Sequence, residues 1–407
     1  MFIPIALTVS AITACLRGAQ ARPSSYAAWA ADSAIRRGQG HGITNGAPLV
    51  SYEDGEFQWA LRQLYEHTGN STYYNYIQSG VDNVVFPNGT VGGQYSATQF
   101  QLDPIRVGPT FLYLYEKTGD EKYKKAADEF HNQLIYIHKR TAQGQFWHKA
   151  IYPNQGWLDG IYMGDVFYAT YTQMFQPKNT SAWALPPDDV TLQFKLMYEN
   201  TLQTPQSLVG NESYSGLLYH GYDYSHVAEW ASPDRGHSPE IWDRALGWYA
   251  MALVDTLPIL PETHPGHQLL LDILNTLAPR IAAAADPKSD VWWLVLTQPG
   301  RAQNYFESSG AAMYIYALLR GVRTGYIKDP KGALVKAAKR AYEYATANWV
   351  IENADGAMSW NNTVIVGALD TDGSFDYYVS QPVDINDLKG VAAFVLASYE
   401  YELLAGH

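Results

Sequence analysis

The stretch Leu64-Tyr-Glu-His-Thr-Gly-Asn-Ser-Thr-Tyr73 is echoed about fifty residues later by Leu114-Tyr-Glu-Lys-Thr-Gly-Asp-Glu-Lys-Tyr123. A weaker third copy surrounds Arg323-Thr-Gly325. In each copy a helical run ends at Thr-Gly, where glycine can take the left-handed cap conformation. Asn70 or Asp120 then stands in place to cap the following helix. The unit is a helix, a tight turn and a second helix. Its recurrence predicts a stack or ring of helical hairpins.

Working outward, segments with helical period fall at 24–37, 52–67, 71–85, 103–117, 120–138 and 159–175, then at 187–203, 237–257, 264–284, 308–324, 330–349 and 384–405. These make six pairs. Six pairs fit a closed toroid of inner and outer helices, the all-α (α/α)6 barrel; an open α-solenoid is the alternative. The connections 139–158, 204–236, 285–307 and 350–383 are long and rich in Trp, Tyr, Gly and Asp. Long loops gathered at one end of a scaffold are where binding sites form. No Gly/Ser linker, charge block or low-complexity run divides the chain, so residues 22–407 are read as one catalytic domain.

The 407 residues carry 28 Lys plus Arg against 40 Asp plus Glu, a net charge of −12. That balance argues against a nucleic-acid partner, which needs a basic face, and against an anionic membrane surface. The 47% hydrophobic content is enough for a large core. Tyr (31) and Trp (12) are abundant. Such amphipathic rings suit a flat polar ligand such as a sugar, or equally a large core with hydroxyls at its edge.

Residues 1–21 form an apolar run closing on Ala19-Gln20-Ala21, the pattern of a secretory signal peptide. The run is too short to span a bilayer. The single cysteine, Cys15, lies inside it, so no disulfide is expected in the mature chain. Asn-x-Ser/Thr sequons begin at Asn70, Asn88, Asn179, Asn211 and Asn361. Together these features predict a secreted, extracellular glycoprotein.

The densest chemistry lies in Phe146-Trp-His-Lys-Ala-Ile-Tyr-Pro-Asn-Gln-Gly-Trp-Leu-Asp-Gly-Ile-Tyr-Met163. Asp159 sits between Trp157 and Tyr162. Lost solvation there should raise its pKa toward working pH, as a general acid requires. The competing reading is a helix cap at residue 160. Asp103, before Pro104, is either a second carboxylate dividing acid and base roles with Asp159 or another N-cap. A second dense stretch runs from His220 through Ser238-Pro-Glu-Ile-Trp-Asp-Arg-Ala-Leu-Gly-Trp248. Ser238 reads as an N-cap with Pro239 at the first helical position. Trp242, Arg244 and Trp248 then lie in the first turns, offering stacking faces and a fork for carboxylates. The alternative is a helix packed by its tryptophans, with Arg244 paired to Asp243 or Glu240. There is no Gly-x-Ser-x-Gly elbow, phosphate loop or dinucleotide fingerprint. The histidine pairs lack a third ligand, and Asp370-x-Asp372-Gly373 reads as a turn. Neither metal nor cofactor is expected.

At Trp157-Leu-Asp-Gly-Ile-Tyr-Met163 and Ser238 to Asp255 the chain resembles glycoside hydrolase family 105, the unsaturated rhamnogalacturonyl hydrolases. Leu102-Asp103, Trp147-His-Lys149, His220, Glu307-Ser-Ser-Gly-Ala-Ala-Met313 and Lys389-Gly-Val-Ala-Ala-Phe394 extend the resemblance over nearly the whole mature chain. Family 88, the unsaturated glucuronyl hydrolases, shares the fold. The resemblance implies an (α/α)6 barrel that hydrates the C4=C5 bond of a terminal unsaturated uronate, with Asp159 as general acid and base and Asp103 as second carboxylate. It places Lys149, His220, Trp242 and Arg244 at the substrate, and more loosely Tyr52; the helix reading adds Trp248 as a further substrate-binding candidate. The expected partner is an unsaturated pectin-derived oligosaccharide, met by a monomer. The rival expectations are release of an unsaturated glucuronate and a silent carbohydrate-binding barrel.

Overall fold

The computed structural model describes residues 25–176, 188–208, 212 and 214–406. The predicted signal segment 1–21, Asn179 and Asn211 lie outside the described residues.

The Thr-Gly hairpins form as read. α1 (Tyr26–Arg36) is followed by α2 (Tyr52–Thr68), which ends on Gly69 at φ 69°, and Asn70 accepts from Thr72 N to start α3 (Ser71–Asp82). α4 (Gly108–Thr118) ends on Gly119 at φ 68°, and Asp120 caps α5 (Glu121–Asn132) in the same way. A short α6 (Leu158–Gly160) passes through a π-turn (Ile161–Asp165) into α7 (Val166–Phe175). Then come α8 (Asp189–Thr201), α9 (Asp243–Thr256), α10 (Pro265–Ala283), α11 (Ser308–Arg323), α12 (Ala333–Asn348), the short α13 (Phe375–Ser380) and α14 (Leu388–Ala405).

Six of these spans form an inner ring: α2, α4, α6–α7, α9, α11 and α14, each packed on the next, with α14 returning to α2. That last contact closes the toroid and excludes the open solenoid. α1, α3, α5, α8, α10 and α12 lie outside, antiparallel to their partners. Inner helices are buried nearly all round; every residue of α9 is buried. Close approach demands small residues between them. A Cβ on Gly247 of α9 would stand 2.8 Å from the Met313 sulfur of α11. At the seam, Ser25 Oγ donates to Glu402 at 2.8 Å and Ala27 N donates to the other carboxylate oxygen at 3.1 Å.

This arrangement sorts the connections. Where the connection is described, at 69–70, 119–120, 257–264 and 324–332, inner helices hand over to outer ones through short turns at one end. Outer helices return through the long segments 37–51, 83–107, 133–157, 202–242, 284–307 and 349–387 at the other. The inner helices therefore all begin at the same mouth, where their unpaired N–H groups and dipoles favour negative charge.

One boundary differs from the sequence reading. Residues 237–242 are non-helical, bridging other segments at His237 and Trp242 with a bend at 239–240, and α9 starts only at Asp243. Ser238 caps nothing. Its N–H donates to Gly221 O, Leu296 N donates to Ile241 O, and Asp243 N donates to Leu294 O. Pairing with two distant segments outweighs the local Ser-Pro-Glu signal, because these buried backbone groups need partners.

Candidate active site

Asp159 belongs to the first turn of α6, and its side chain caps no helix. Its Oδ2 lies 3.1 Å from His220 Nε2. His220 is fully buried, and its Nδ1 lies 2.6 Å from the Tyr378 hydroxyl on α13. Burial pushes the Tyr378 hydroxyl far up, so it stays protonated. Burial alone would raise the Asp159 carboxyl. The charge and hydrogen bond of His220, helped by His148, outweigh it and hold the group below the usual aspartate range. The expected upward shift is thus corrected: desolvation is the largest single influence, but the charges and hydrogen bonds of His220 and His148 together outweigh it.

Asp103 opens a 3-10 turn (Asp103–Val107) leading into α4, and it too caps nothing. Its Oδ2 is 2.7 Å from Lys149 Nζ, and its Oδ1 is 3.5 Å from His148 Nε2. His148 is buried, and burial pulls its imidazole down to about 4, so it is neutral near pH 7. Its ring stacks on Trp157 at 4.4 Å, and the indole stands edge-on to His220 at 5.4 Å. Trp157 thus separates the Asp103–Lys149 pair from the Asp159–His220 pair. Gly160 admits this packing, since a Cβ there would sit 2.8 Å from Leu102 and 3.3 Å from His148 Nδ1.

Trp242 lies 5.0 Å from His220 and is stacked on Tyr378 at 5.8 Å. Arg244 is 1% exposed. Its Nε donates to Ser309 Oγ at 2.7 Å, its Nη1 to Ile365 O at 2.7 Å, and its Nη2 to Val364 O and to Glu307 at 3.4 Å. It pairs with Glu307, a residue far along the chain, and not with Asp243 or Glu240. Most of its donor fork is already committed, so one N–H remains to offer a ligand. Tyr52, half-buried at the start of α2, feels both Asp103 and Arg244; burial and the neighbouring carboxylates push its hydroxyl up. Beside it, Lys389 is buried between Asp387 (2.7 Å) and Glu53 (3.0 Å).

Trp248 departs from expectation. It is 1% exposed, stacked on Tyr162 at 5.1 Å and edge-on to Tyr52 at 6.3 Å. Because α9 is enclosed on all sides, this ring is packed in the core against Tyr52 and Tyr162. Sequence reasoning also missed three residues. His148 was visible beside Lys149 but not weighed. Tyr378 and Glu307 gave no local signal, because their roles arise from contacts with residues 158 and 63 positions away. Among the described residues, no cluster of His, Cys, Asp and Glu has a metal-holding arrangement.

Among the sequons, Asn70 and Asn88 are exposed. Asn361 is half-buried, and its partner Thr363 is buried against Ser308 Oγ at 2.8 Å.

Comparison with known proteins matches residues 30–405 to the family model described as Glycosyl Hydrolase Family 88. A solved family 105 glycoside hydrolase from C. acetobutylicum ATCC 824 is 37% identical, with a TM-score of 0.84 over 93% of this chain and 99% of that one. The 24.9 kDa protein in the picA locus of Rhizobium radiobacter is 39% identical over 197 residues, 47% of this chain and 84% of that protein. The unsaturated rhamnogalacturonyl hydrolase YesR of Bacillus subtilis is 23% identical over 309 residues, 73% of this chain and 80% of that protein.

Proposed function

This chain belongs to glycosyl hydrolase family 88, with family 105 similarity along its length, and is a glycoside hydrolase; from that premise we propose that it releases 4,5-unsaturated galacturonate from the non-reducing end of rhamnogalacturonan-lyase oligosaccharides. The observation that carries the reading is the pair of carboxylates, Asp159 on His220 and Asp103 on Lys149, flanking Trp157 where the inner helices begin. The similarity to YesR supports the rhamnogalacturonyl aglycone.

In the proposed reaction Asp159 protonates C4 of the enol ether. Positive charge at C5 is shared with the ring oxygen. Water adds at C5, and its proton passes to Asp159. The hemiketal then opens to a ketone, and the hemiacetal left at C1 collapses to an aldehyde, expelling the aglycone as an alcohol. One carboxyl thus serves as acid and then as base.

The depressed Asp159 pKa sets a condition. A substrate uronate brought close to Asp159 favours its protonated form by adding negative charge.

The test follows the ultraviolet absorbance of the C4=C5 bond. The wild type should bleach rhamnogalacturonan-lyase products, and Asp159→Asn should lose at least about 10²-fold in kcat while melting normally. Normal turnover by Asp159→Asn would sink the mechanism. Bleaching confined to glucuronan- or glycosaminoglycan-lyase products would move the substrate. We further propose that the enzyme is a secreted monomer glycosylated at the exposed Asn70 and Asn88. Intact mass and gel filtration of protein from a secreting eukaryotic host test this; an unglycosylated intracellular product would oppose it.

A further inference from the structure

Beyond the two carboxylate pairs, three loops meet over the mouth and make a small apolar cluster separate from the main core. Trp157, Trp230 and Leu369 form its centre, with Tyr152, Ala228, Ala231 and Ala368 packed on it. The loops are tied by Trp230 Nε1 donating to Leu369 O at 2.8 Å and Tyr224 N donating to Asn154 O at 3.0 Å. Asp223 gathers the N–H groups of Ser225, Val227 and Ala228 and so fixes the second loop.

Within this cluster His148, Trp157 and Tyr152 make a three-ring stack. His148 lies 4.4 Å from Trp157 at 18°, and Tyr152 lies 4.7 Å from Trp157 at 21°. The inner ring touches Asp103 and the middle ring meets His220. The outer ring, Tyr152, is half-buried, and its hydroxyl donates to Asp370 Oδ2 at 3.2 Å. Ile151 beside it is 72% exposed. No described ring other than Trp157 contacts Tyr152.

We propose that Tyr152 is the platform of the aglycone subsite, where it stacks on the apolar face of the sugar that follows the unsaturated uronate. The ligand class is a neutral hexose or 6-deoxyhexose ring, whose C–H face matches an aromatic face and whose methyl group meets Ile151. Asp370 holds the phenol at a fixed tilt, and the Trp157 stack sets its distance from the scissile bond. This inference rests on the proposed uronyl hydrolysis and adds the residue that selects what is released.

The experiment compares two substrates of the same unsaturated uronate, one linked to rhamnose and one to methanol. Tyr152→Leu should raise KM for the rhamnoside about two- to tenfold, the worth of one aromatic contact, and leave the methyl glycoside unchanged. Tyr152→Phe keeps the ring but loses the Asp370 tether, so its KM for the rhamnoside should fall between wild type and Tyr152→Leu, with the methyl glycoside unchanged. Equal loss on both substrates would overturn the platform and leave Tyr152 as a prop for Trp157; no change on either would overturn it as well. If Tyr152→Leu folds poorly, Tyr152→His supplies a smaller ring and should give an intermediate KM on the rhamnoside alone. Wild-type turnover of the methyl glycoside reports separately on the uronyl reading. Its absence with both substrates would defeat that reading and the subsite with it.

Discussion

Replacing Glu307 by Gln should destabilise the enzyme far more than replacing its buried neighbour Asp243 by Asn. Glu307 is fully buried at the start of α11. It accepts from Gly310 N at 2.7 Å, Ser309 Oγ at 2.8 and 2.9 Å, Val364 N at 3.0 Å and Arg244 Nη2 at 3.4 Å. It is thus the hub that joins α11, Arg244 and the 363–365 loop. Asp243 is equally buried, but burial and then the charge of Glu307 push its carboxyl well up, so it keeps its proton. The cluster therefore holds one negative and one positive charge. Glu307→Gln would leave the Arg244 guanidinium buried without a counter-charge and turn an amide N–H2 toward donors. Removing one partner of a buried pair costs about 3–5 kcal/mol. Asp243→Asn changes one neutral group for another and should cost no more than about 1 kcal/mol. Urea denaturation with an unchanged slope reads both numbers from the midpoints. The double variant Glu307→Gln/Arg244→Met should recover much of the loss, since no bare charge remains. A Glu307→Gln effect below about 1 kcal/mol, or a double variant weaker than the sum of its parts, would refute this charge assignment.

Acid should weaken the fold partly through His148. Its folded pKa of about 4 lies below the unfolded value near 6.5, so the stability it contributes is complete above pH 6.5 and is lost as pH falls toward 4. His148→Gln should therefore flatten the stability profile between pH 6.5 and 4 by up to about 3 kcal/mol; an unchanged acid limb would contradict the buried neutral imidazole. Glu240, raised to about 7 by burial, acts with the opposite sign, and its contribution fades as pH rises from about 4 through 7. Lys149→Met should raise KM for the charged substrate about tenfold at low salt and less at high salt. A salt-independent change would assign Lys149 to holding Asp103 alone.

What the sequence disclosed was governed by neighbours along the chain. The Thr-Gly turns, the Asn70 and Asp120 caps and twelve helical spans were all local, and they appear within a few residues of their predicted bounds, apart from α9. The carboxylates Asp159 and Asp103 were legible because aromatic residues and a lysine crowd them in sequence. What failed depended on distant partners. The 237–242 segment is non-helical because residues 221 and 294–296 pair with it. Asp159 is depressed because His220 reaches it from another loop. Trp248 was placed at the substrate because the enclosure of its helix by distant elements cannot be read from its own sequence. Such errors share one cause: a sequence window reports propensity and local solvation, while the site is set by who arrives from elsewhere.

The seam where α14 meets α1 and α2, tied at α1 by Ser25 and Glu402, also bears on how this barrel comes into being. Contacts there join residues more than 300 positions apart, so the ring can close only once both ends of the described chain are in place, and until then its end hairpins keep an apolar edge unmet. The same proximity lets the two ends be joined by a short linker and the chain reopened at a Thr-Gly turn such as 118–120. A permuted enzyme of that kind would close its ring at a different hairpin, keep the same mouth, and fold in a new order.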